Sequence, residues 1–280
     1  MTMLLHASDP HFGTEQPAAV DALVQLVHEQ RPDVLLLSGD ITQRATATQF
    51  ERARAFVSRL QVPVILAIPG NHDIPLFNVM ARMIAPYARY RHAFGRDLEP
   101  EFENDDVLVI ALNTTRRYRH VDGALSLAQI ERVALRLEGA RPAQWRMIVM
   151  HHPVAVTRVQ DHHNLLHGHE AAVQRWAAAG ADLILGGHIH LPFFMPLRER
   201  WPQLSRAVWA LQAGTAVSTR VRADAGNSVN IIRLGATAAT LDSNADGQRH
   251  CVVERWDHMA KNSKHFERVQ TRSLLSAFGA

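Results

Sequence analysis

The chain alternates short apolar runs with amphipathic segments up to about residue 185, and this alternation constrains its fold more than any other feature. The runs are rich in aliphatic and β-branched residues and predict buried strands over Met3–Ala7, Val34–Ser38, Val64–Ile68, Val107–Leu112, Met147–Met150 and Leu183–Leu185. Apolar residues recur at intervals of three and four between them, which predicts helices over Ala18–Glu29, Thr48–Leu60, Leu127–Leu137 and Glu170–Ala179. Strand–helix–strand repetition favours right-handed crossovers and a largely parallel sheet.

After about residue 205 the pattern changes to short strands with Gly/Asn/Asp connections, predicted at Ala207–Leu211, Val229–Arg233, Ala238–Leu241 and Cys251–Trp256. We expect these strands to form a meander in a second sheet that packs on the first. Residues 258–280 are polar and then weakly helical around Phe266–Phe278, which predicts a C-terminal tail or helix. Because no Pro/Gly/Ser linker interrupts the chain, residues 1–257 are predicted to form a single domain.

Composition excludes several classes of protein. Of the 280 residues, 47% are apolar and 20% are charged, which is ordinary for a globular chain. The longest apolar runs, such as Val62–Ile68, are too short to span a bilayer, so we expect no membrane insertion. Cys251 is the only cysteine, and the N-terminus lacks a leader pattern. These observations favour a reducing, cytoplasmic location.

The distribution of charge is informative in two ways. Lys and Arg number 30 against 27 Asp and Glu, a mild excess that is scattered along the chain. We therefore expect no nucleic-acid partner, since such surfaces usually cluster their positive charge. The 17 histidines, in contrast, concentrate around residues 151–169 and 188–190, as a metal site would require.

Five short polar motifs follow predicted strands: Asp9-Pro10-His11, Gly39-Asp40, Gly70-Asn71-His72-Asp73, His151-His152-Pro153 and Gly187-His188-Ile189-His190. In open α/β sheets, ligands bind at the carboxyl ends of the strands, so these motifs are expected to converge. A mixture of carboxylate, amide and imidazole donors suits Mn, Fe, Co, Ni or Zn. The lack of a thiolate in the set disfavours a structural zinc site.

Each motif alone has an ordinary structural interpretation. Asp-x-His and Gly-Asp are common in turns, and paired histidines are often core or surface residues. All five in order at strand ends favour two divalent ions bridged by Asp40, roughly 3.5–4 Å apart. Such a centre activates a shared water for in-line displacement at phosphorus.

On these motifs the chain resembles the calcineurin-like metallophosphoesterases, whose five blocks appear here as DPH, GD, GNHD, HHP and GHIH over about residues 3–195. The resemblance implies an α/β fold, a four-layer α/β/β/α sandwich of two mixed sheets flanked by helices. Within the family, SDPHF, SGDIT, PGNHD and MHHP resemble bacterial class III cyclic-nucleotide phosphodiesterases and their glycerophosphodiesterase relatives. Protein phosphatases match less well, because Ile-Thr-Gln-Arg follows Asp40.

The resemblance implies seven metal ligands: Asp9, His11 and His190 for one ion, Asn71, His151 and His188 for the other, and Asp40 between them. His151 is preferred to His152 because the family's ligand stands two residues before the proline, here Pro153. It also implies catalytic roles for Asp40, His72 and Asp73. His72 would face the phosphate and either stabilise the transition state or protonate the leaving oxygen, and Asp73 would orient His72 or a ligand.

We therefore expect a dinuclear phosphodiesterase with two divalent ions (Mn, Fe, Zn or Co), in which a metal-bridging hydroxide attacks a small-molecule phosphodiester such as a cyclic nucleotide or glycerophosphodiester. One alternative is a phosphomonoesterase, or a phosphodiesterase or pyrophosphatase that acts on a lipid-derived or nucleotide-sugar substrate. A less favoured alternative is a non-catalytic, metal-bound scaffold. The resemblance further implies a homodimer or higher homo-oligomer.

Three clusters outside the motifs each allow two interpretations: Tyr87, Tyr90, His92 and Phe94; Arg116, Arg117, Arg119 and His120; and His162, His163, His167 and His169. For the aromatic cluster, core packing is favoured over stacking against a substrate. For the arginine cluster, a solvated loop is slightly favoured over phosphate binding. For the histidine cluster, a loop that lines the cleft or supports the site is favoured over a third metal.

Overall fold

The structure is a computed structural model that describes residues 1–119, 121–235, 248–259 and 265–277. Its strands are β1 Met3–Ala7, β2 Val34–Ser38, β3 Val64–Ile68, β4 Glu101–Glu103, β5 Val107–Leu112, β6 Trp145–Met150, β7 Leu183–Gly186, β8 Phe193–Pro196, β9 Trp209–Gln212, β10 Ser228–Leu234, β11 Gln248–His258 and β12 Phe266–Ala277. Its helices are α1 Pro17–Gln30, α2 Ala47–Leu60, α3 Val79–Ile84, α4 Ala88–Phe94, α5 Leu127–Glu138 and α6 His169–Ala178. The predicted strands and helices up to residue 186 agree with these bounds to within two residues.

Within the described ranges the strands form two six-stranded mixed sheets. The first has the order β12-β11-β10-β1-β2-β3, in which β1, β2 and β3 are parallel and β10 runs antiparallel to β1. The second has the order β4-β5-β6-β7-β9-β8, in which β5, β6, β7 and β9 are parallel. The parallel strands of each sheet thus direct their carboxyl ends to one edge, where ligands bind in open α/β sheets.

Local signals fix the ends of the helices. The Ser126 hydroxyl accepts a hydrogen bond from the Gln129 amide, and the reciprocal bond completes the predicted capping box at the start of α5. Thr46 caps α2 in the same way, with its hydroxyl accepting from Gln49 N. Gly180 follows α6 with a φ of +102°, which only glycine adopts without strain. The turn at Gly180 returns the chain from α6 to β7.

Three apolar clusters hold the layers together. One lies between the two sheets and includes Leu36, Val109 and Val149, and the other two lie beneath the helices on the outer face of each sheet. Trp176 of α6 is fully buried, and its indole N–H donates to the Ile130 carbonyl oxygen of α5 at 3.0 Å. Each fully buried large apolar side chain contributes roughly 1.5–3 kcal/mol. The arrangement confirms the predicted four-layer α/β/β/α sandwich.

The sheet assignment of the last third of the chain was wrong. Strand β9 pairs in parallel with β7, whereas β10, β11 and β12 form a meander that extends the first sheet through β1. The segment Ala238–Leu241, predicted as a strand, lies outside the described residues. The helix predicted around Phe266–Phe278 is also wrong, because residues 266–277 pair with β11 as an edge strand. The single-domain organisation stays a prediction.

The length of the described helices bears on membrane insertion. None of them, in the four ranges given above, is long and apolar enough to cross a bilayer.

Candidate metal centre

All five motifs lie at the carboxyl ends of parallel strands. Those after β1, β2 and β3 belong to the first sheet, and those after β6 and β7 belong to the second. Backbone hydrogen bonds join the loops: Asp9 N donates to Gly39 O and His11 N donates to Asp40 O, both at 3.0 Å. Gly187 N donates to His151 O at 2.9 Å. Backbone hydrogen bonds therefore join the motif loops independently of the ligand side chains.

The first group of donors comprises Asp9, His11 and His190, which are all buried. The Nε2 atoms of His11 and His190 lie 3.0 Å apart. Asp9 Oδ1 is 3.2 Å from His190 Nε2 and 3.7 Å from His11 Nε2. One carboxylate oxygen and two imidazole nitrogens thus face a common point.

The second group comprises Asn71, His151 and His188. His151 Nε2 lies 3.2 Å from Asn71 Oδ1 and 3.3 Å from His188 Nδ1. Asn71 is presented by a short 3-10 turn, Asn71–Asp73, directly after β3. The structure therefore brings together an amide oxygen and two imidazoles from three different strand ends.

Asp40 lies between the two groups. Its Oδ1 is 3.3 Å from His151 Nε2 in the second group, and its Oδ2 is 3.7 Å from His11 Nε2 in the first. Oδ2 is also 4.0 Å from His72 Nε2. The two oxygens of one buried carboxylate therefore address the two groups separately, which is the geometry expected of a bridging ligand.

The orientation of the imidazoles tests whether these residues fit a metal. His151 Nδ1 lies 2.8 Å from Ser38 O, and His190 Nδ1 lies 2.6 Å from Arg220 O. A carbonyl oxygen only accepts, so both Nδ1 atoms carry the proton, as metal-bound histidines usually do. The Nε2 lone pairs then point at carboxylate oxygens, and this is favourable only with a proton or a cation between them. Asp9 Oδ1 is buried and has no hydrogen-bond partner in the part of the chain that the structure describes, so the residues fit divalent ions.

The pKa values follow from burial and the shared charges. Burial lowers the pKa of His11 and of His188 to about 3, although the nearby carboxylates oppose it. Burial likewise lowers the pKa of His151, but the charges of Asp40 and Asp9 outweigh it and raise the pKa to about 9. Burial opposes ionisation of Asp40, yet His151 and His72 hold its pKa well below the usual range. The centre thus offers ionised carboxylates and a strong demand for positive charge.

Backbone strain is concentrated at the predicted ligands. Five of the seven have positive φ: Asp9 (52°), His11 (43°), Asp40 (48°), His188 (73°) and His190 (54°). This left-handed region costs a non-glycine residue roughly 1–2 kcal/mol, and such strain gathers at functional sites. Gly39, with a φ of +96°, lets the chain pass so close to His151 that a Cβ would lie 2.6 Å from its Nδ1.

His152 lies beside the second group but is otherwise engaged. Its Nδ1 is 2.7 Å from the Thr114 hydroxyl and its Nε2 is 2.9 Å from Val121 O. Burial holds the pKa of the ring well below its usual value. Both nitrogens of a neutral imidazole are therefore occupied, which agrees with the preference for His151 as the ligand. That assignment stays a prediction.

Asp73 does not contact His72 through its carboxylate. Oδ2 accepts hydrogen bonds from the amides of Ile41 and Gly70, and Oδ1 accepts from the amide and hydroxyl of Thr42, all at 2.8–3.0 Å. The carboxylate therefore clamps the loop after β2 to the loop after β3, on either side of Asp40 and Asn71. If Asp73 orients a ligand, it acts through the backbone.

The three clusters outside the motifs have structural contacts. Tyr90 is fully buried in the core beneath α1 and α2, as favoured. Arg116 donates to backbone carbonyls and to Gln129 Oε1, and Arg119 lies 3.5 Å from Asp122, while His120 lies outside the described residues. The histidines of residues 162–169 join none of the described groups that could hold a metal.

Two residues at the centre carry no motif and were missed. Arg220 Nη1 lies 3.1 Å from His72 Nε2 and 3.1 Å from Gln43 Oε1. Gln43 O is 2.9 Å from His72 Nδ1, so the backbone of Gln43 and the side chain of Arg220 bracket the His72 ring. No local sequence signal marks Arg220, because its place follows from the parallel pairing of β9 with β7, which brings the carboxyl end of β9 to the same edge.

The two mixed sheets and the adjoining groups of candidate metal ligands are those expected of a metallophosphoesterase-like chain, and comparison with known families agrees. The calcineurin-like phosphoesterase family matches residues 2–192, and the chain belongs to that family. The resemblance read from the five blocks is thereby confirmed.

Curated relatives are similar over part of the chain. A probable cyclic nucleotide phosphodiesterase of Synechococcus is 32% identical over 171 residues, 59% of this chain and 60% of that protein. A glycerophosphodiester phosphodiesterase of Enterobacter lignolyticus is 33% identical over 82 residues, 25% of this chain and 29% of that protein. The chain thus spans less than two thirds of the length of either relative.

Solved structures share the fold at low sequence identity. A dimetal phosphatase from Danio rerio superposes with a TM-score of 0.67 at 13% identity and covers 99% of both chains. A purple acid phosphatase from yellow lupin gives 0.65 at 11% identity, over 99% of this chain and 53% of that one. At this identity the likeness concerns the fold alone, and it agrees with the two sheets flanked by helices.

Proposed function

We propose that this protein is a metal-dependent phosphoric ester hydrolase that cleaves a phosphodiester with two divalent ions, from Mn, Fe, Zn or Co. The observation that carries the proposal is the position of Asp40, whose two carboxylate oxygens face two separate groups of donors. Its family and its phosphodiesterase-named relatives support the same reaction class.

The chain's own residues prepare the centre for an anionic ester. When bound, two divalent ions would act as Lewis acids and lower the pKa of a water shared between them. Asp9, His11 and His190 would hold one ion, Asn71, His151 and His188 the other, and Asp40 would bridge. Because the loops are joined by backbone hydrogen bonds and Asp73 clamps two of them, the donors are held in place before substrate arrives.

His72 is the residue best placed to act on the substrate without being a ligand. Its Nδ1 donates to Gln43 O, which fixes the ring and directs Nε2 toward Asp40 and Arg220. The His72 side chain is 19% exposed, whereas those of Asp9, His11, Asp40 and His151 are at most 2% exposed, so an ester can reach it. Without substrate Nε2 accepts a hydrogen bond from Arg220, and we assign the ring, once protonated at Nε2 as well, to hold the phosphoryl group or to protonate the leaving oxygen.

For the substrate, a cyclic nucleotide or glycerophosphodiester-like molecule is proposed, since those are the substrates that the relatives' names state. A phosphomonoester or a lipid-derived or nucleotide-sugar substrate is the alternative. The cytoplasmic location and a homo-oligomeric state stay predictions.

The test combines metal analysis of the purified protein with a turnover screen. Bis-p-nitrophenyl phosphate, p-nitrophenyl phosphate, cyclic AMP and glycerophosphodiesters would be compared after loading with each of the four metals. We expect about two ions per chain and faster turnover of a diester than of the monoester. Bound metal without turnover of any phosphoester would instead support the non-catalytic scaffold, and monoester-only turnover would overturn the diesterase assignment.

A further inference from the structure

Arg220 stands beside the metal centre, and no acidic side chain of the described residues neutralises its guanidinium. We propose that this guanidinium binds a non-bridging phosphoryl oxygen of the substrate and thereby acts as the protein's anion-recognition residue. The proposal rests on the proposed function for the identity of the anion, but it concerns binding rather than hydrolysis.

The loop that carries Arg220 is held rigidly against the loop that carries Asp9 and His11. Ala216 N donates to Ser8 O and Thr219 N donates to Thr14 O, both at 2.8 Å. The Thr215 hydroxyl donates to Asp9 O at 2.6 Å. A side chain on such a loop loses little freedom when it binds a ligand, which is what preorganised anion recognition requires.

Both the backbone and the side chain of Arg220 engage the centre. Its carbonyl oxygen accepts the Nδ1 proton of His190, and its Nη1 is 3.1 Å from His72 Nε2. Since His72 Nδ1 donates to Gln43 O, Nε2 is the acceptor for the Arg220 N–H. The two partners of Nη1 are therefore neutral acceptors, His72 and the Gln43 amide. The guanidinium is positioned by them without being neutralised.

Neighbouring arginines differ in this respect. Arg222, two residues on, pairs with Asp161 at 3.0 Å, and Arg158 pairs with the exposed Asp224. For Arg220, no carboxylate oxygen of the described residues lies within 4.0 Å, and its Nε and Nη2 donate to no protein atom of those ranges. These two nitrogens are not buried either, so they remain accessible to a ligand.

The chemistry of the ligand follows from the geometry. Guanidinium donors match the paired oxygens of phosphate and form charge-assisted hydrogen bonds. His72 Nε2 lies 4.0 Å from the bridging Asp40, so Arg220 is one hydrogen bond away from the metal centre. An oxyanion at the centre would thus meet positive charge from Arg220 on its outer side.

The test measures phosphate affinity directly. Manganese-loaded wild-type protein, Arg220→Gln and Arg220→Lys would be titrated calorimetrically with inorganic phosphate, with metal content determined for each. We expect Arg220→Gln to bind phosphate at least about tenfold more weakly with unchanged metal content, and Arg220→Lys to fall between it and wild type. Arg158→Gln, which removes a half-buried arginine that pairs with Asp224 away from the centre, is the matched control and should stay within twofold of wild type.

The outcomes separate this inference from the proposed function. Equal phosphate affinity in wild type and Arg220→Gln, or no phosphate binding in either, overturns the role of Arg220 even if the enzyme turns over phosphodiesters. Arg220-dependent phosphate binding without turnover of any phosphoester upholds the inference and overturns the hydrolase. If Arg220→Gln folds poorly, Arg220→Lys and Arg220→Ala take its place. Wild-type phosphate affinity in Arg220→Lys with loss of affinity in Arg220→Ala would show that the positive charge alone suffices. Wild-type affinity in both Arg220→Lys and Arg220→Ala would overturn the proposal.

Discussion

The parallel strands and the antiparallel meander of this molecule differ in what they carry. The loops that follow β1, β2, β3, β6 and β7 carry every predicted metal ligand, and five of these residues have left-handed backbones. The meander of β10, β11 and β12 carries no predicted ligand and, in its described residues, has no non-glycine residue with positive φ. The strand-end loops contain the strained backbones and the predicted ligands, whereas the meander contributes antiparallel pairing, with one register shift between Arg255 and Trp256, and apolar burial.

The contrast shows that one sheet can hold strands that end in ligand-bearing loops beside strands that only pair and pack. In the first sheet, β1 lies between β2 on one side and β10 on the other. Its carboxyl end opens into the strained loop of Asp9 and His11, while its length pairs regularly with Ser228–Leu234. The meander therefore buttresses the strand that positions the first group of ligands.

The largest expected effect comes from the residue that joins the two groups. Asp40→Ala removes the proposed bridging carboxylate, so we expect turnover to fall by at least about 1000-fold, equivalent to about 4 kcal/mol. Metal content should drop to one ion per chain or fewer. Asp105→Ala removes an exposed carboxylate with a surface partner only and is the matched control. Full activity in Asp40→Ala would defeat the assignment of the centre.

A core change in the meander should separate stability from chemistry. Phe266 of β12 is 5% exposed and packs in the cluster beneath α1, so Phe266→Ala should lower the free energy of unfolding by about 3–5 kcal/mol. Metal content and kcat of the folded fraction should not change. Urea unfolding and activity at low temperature measure both, with the exposed Val269→Ala as control. A large fall in kcat would mean that the two regions are not independent.

At a glycine of the metal centre we expect the opposite result, in which activity or metal binding falls rather than stability. A Cβ on Gly187 would overlap the Ser8 hydroxyl and lie 2.5 Å from Asp9 Oδ2, and Ser8 cannot turn away without losing its own hydrogen bond to Asp9. Gly187→Ala should therefore reduce either the activity or the metal affinity by about 100-fold. Gly226→Ala, whose Cβ would come no closer than 3.6 Å to a neighbour, should behave as wild type. Identical behaviour of the two variants would contradict the close packing described here.

The smallest effect is a dependence of stability on pH at a buried histidine outside the ligand set. Burial lowers the pKa of His6 to about 3, although Asp9 opposes it. Between pH 6.5 and about 3 the unfolded chain binds a proton that the folded chain does not, so stability falls on acidification. From pH 7 to pH 5 this amounts to about 2 kcal/mol. His6→Gln should lose less stability over that interval by up to this amount, as measured by urea unfolding at both pH values.

Much of the parallel region could be predicted from sequence because its signals are local. Buried strands such as Val107–Leu112 are continuous apolar runs, and the spacing of Ser126 and Gln129 predicts the start of a helix. The ligand motifs are visible for the same reason: a strand end, a turn and a metal-binding side chain stand within four residues of one another.

The rest depended on pairing between distant segments. Whether Trp209–Gln212 joins β7 or a separate sheet is decided by a register such as Leu185 opposite Leu211, which no local pattern encodes. The segment Phe266–Ala277 has apolar residues at helical intervals, yet pairing with β11 imposes a strand. Arg220 was missed for a related reason, since its place at the centre follows from where β9 pairs. Its own neighbours in the sequence give no indication of it.

The left-handed residues have a consequence for anyone who redesigns this protein. A design procedure that chooses side chains to suit the backbone would prefer glycine or asparagine at Asp9, His11, Asp40, His188 and His190. It would thus gain stability by erasing five of the predicted ligands. Thermostabilised versions should therefore be sought in the meander and the helices, with the strand-end loops left as they are.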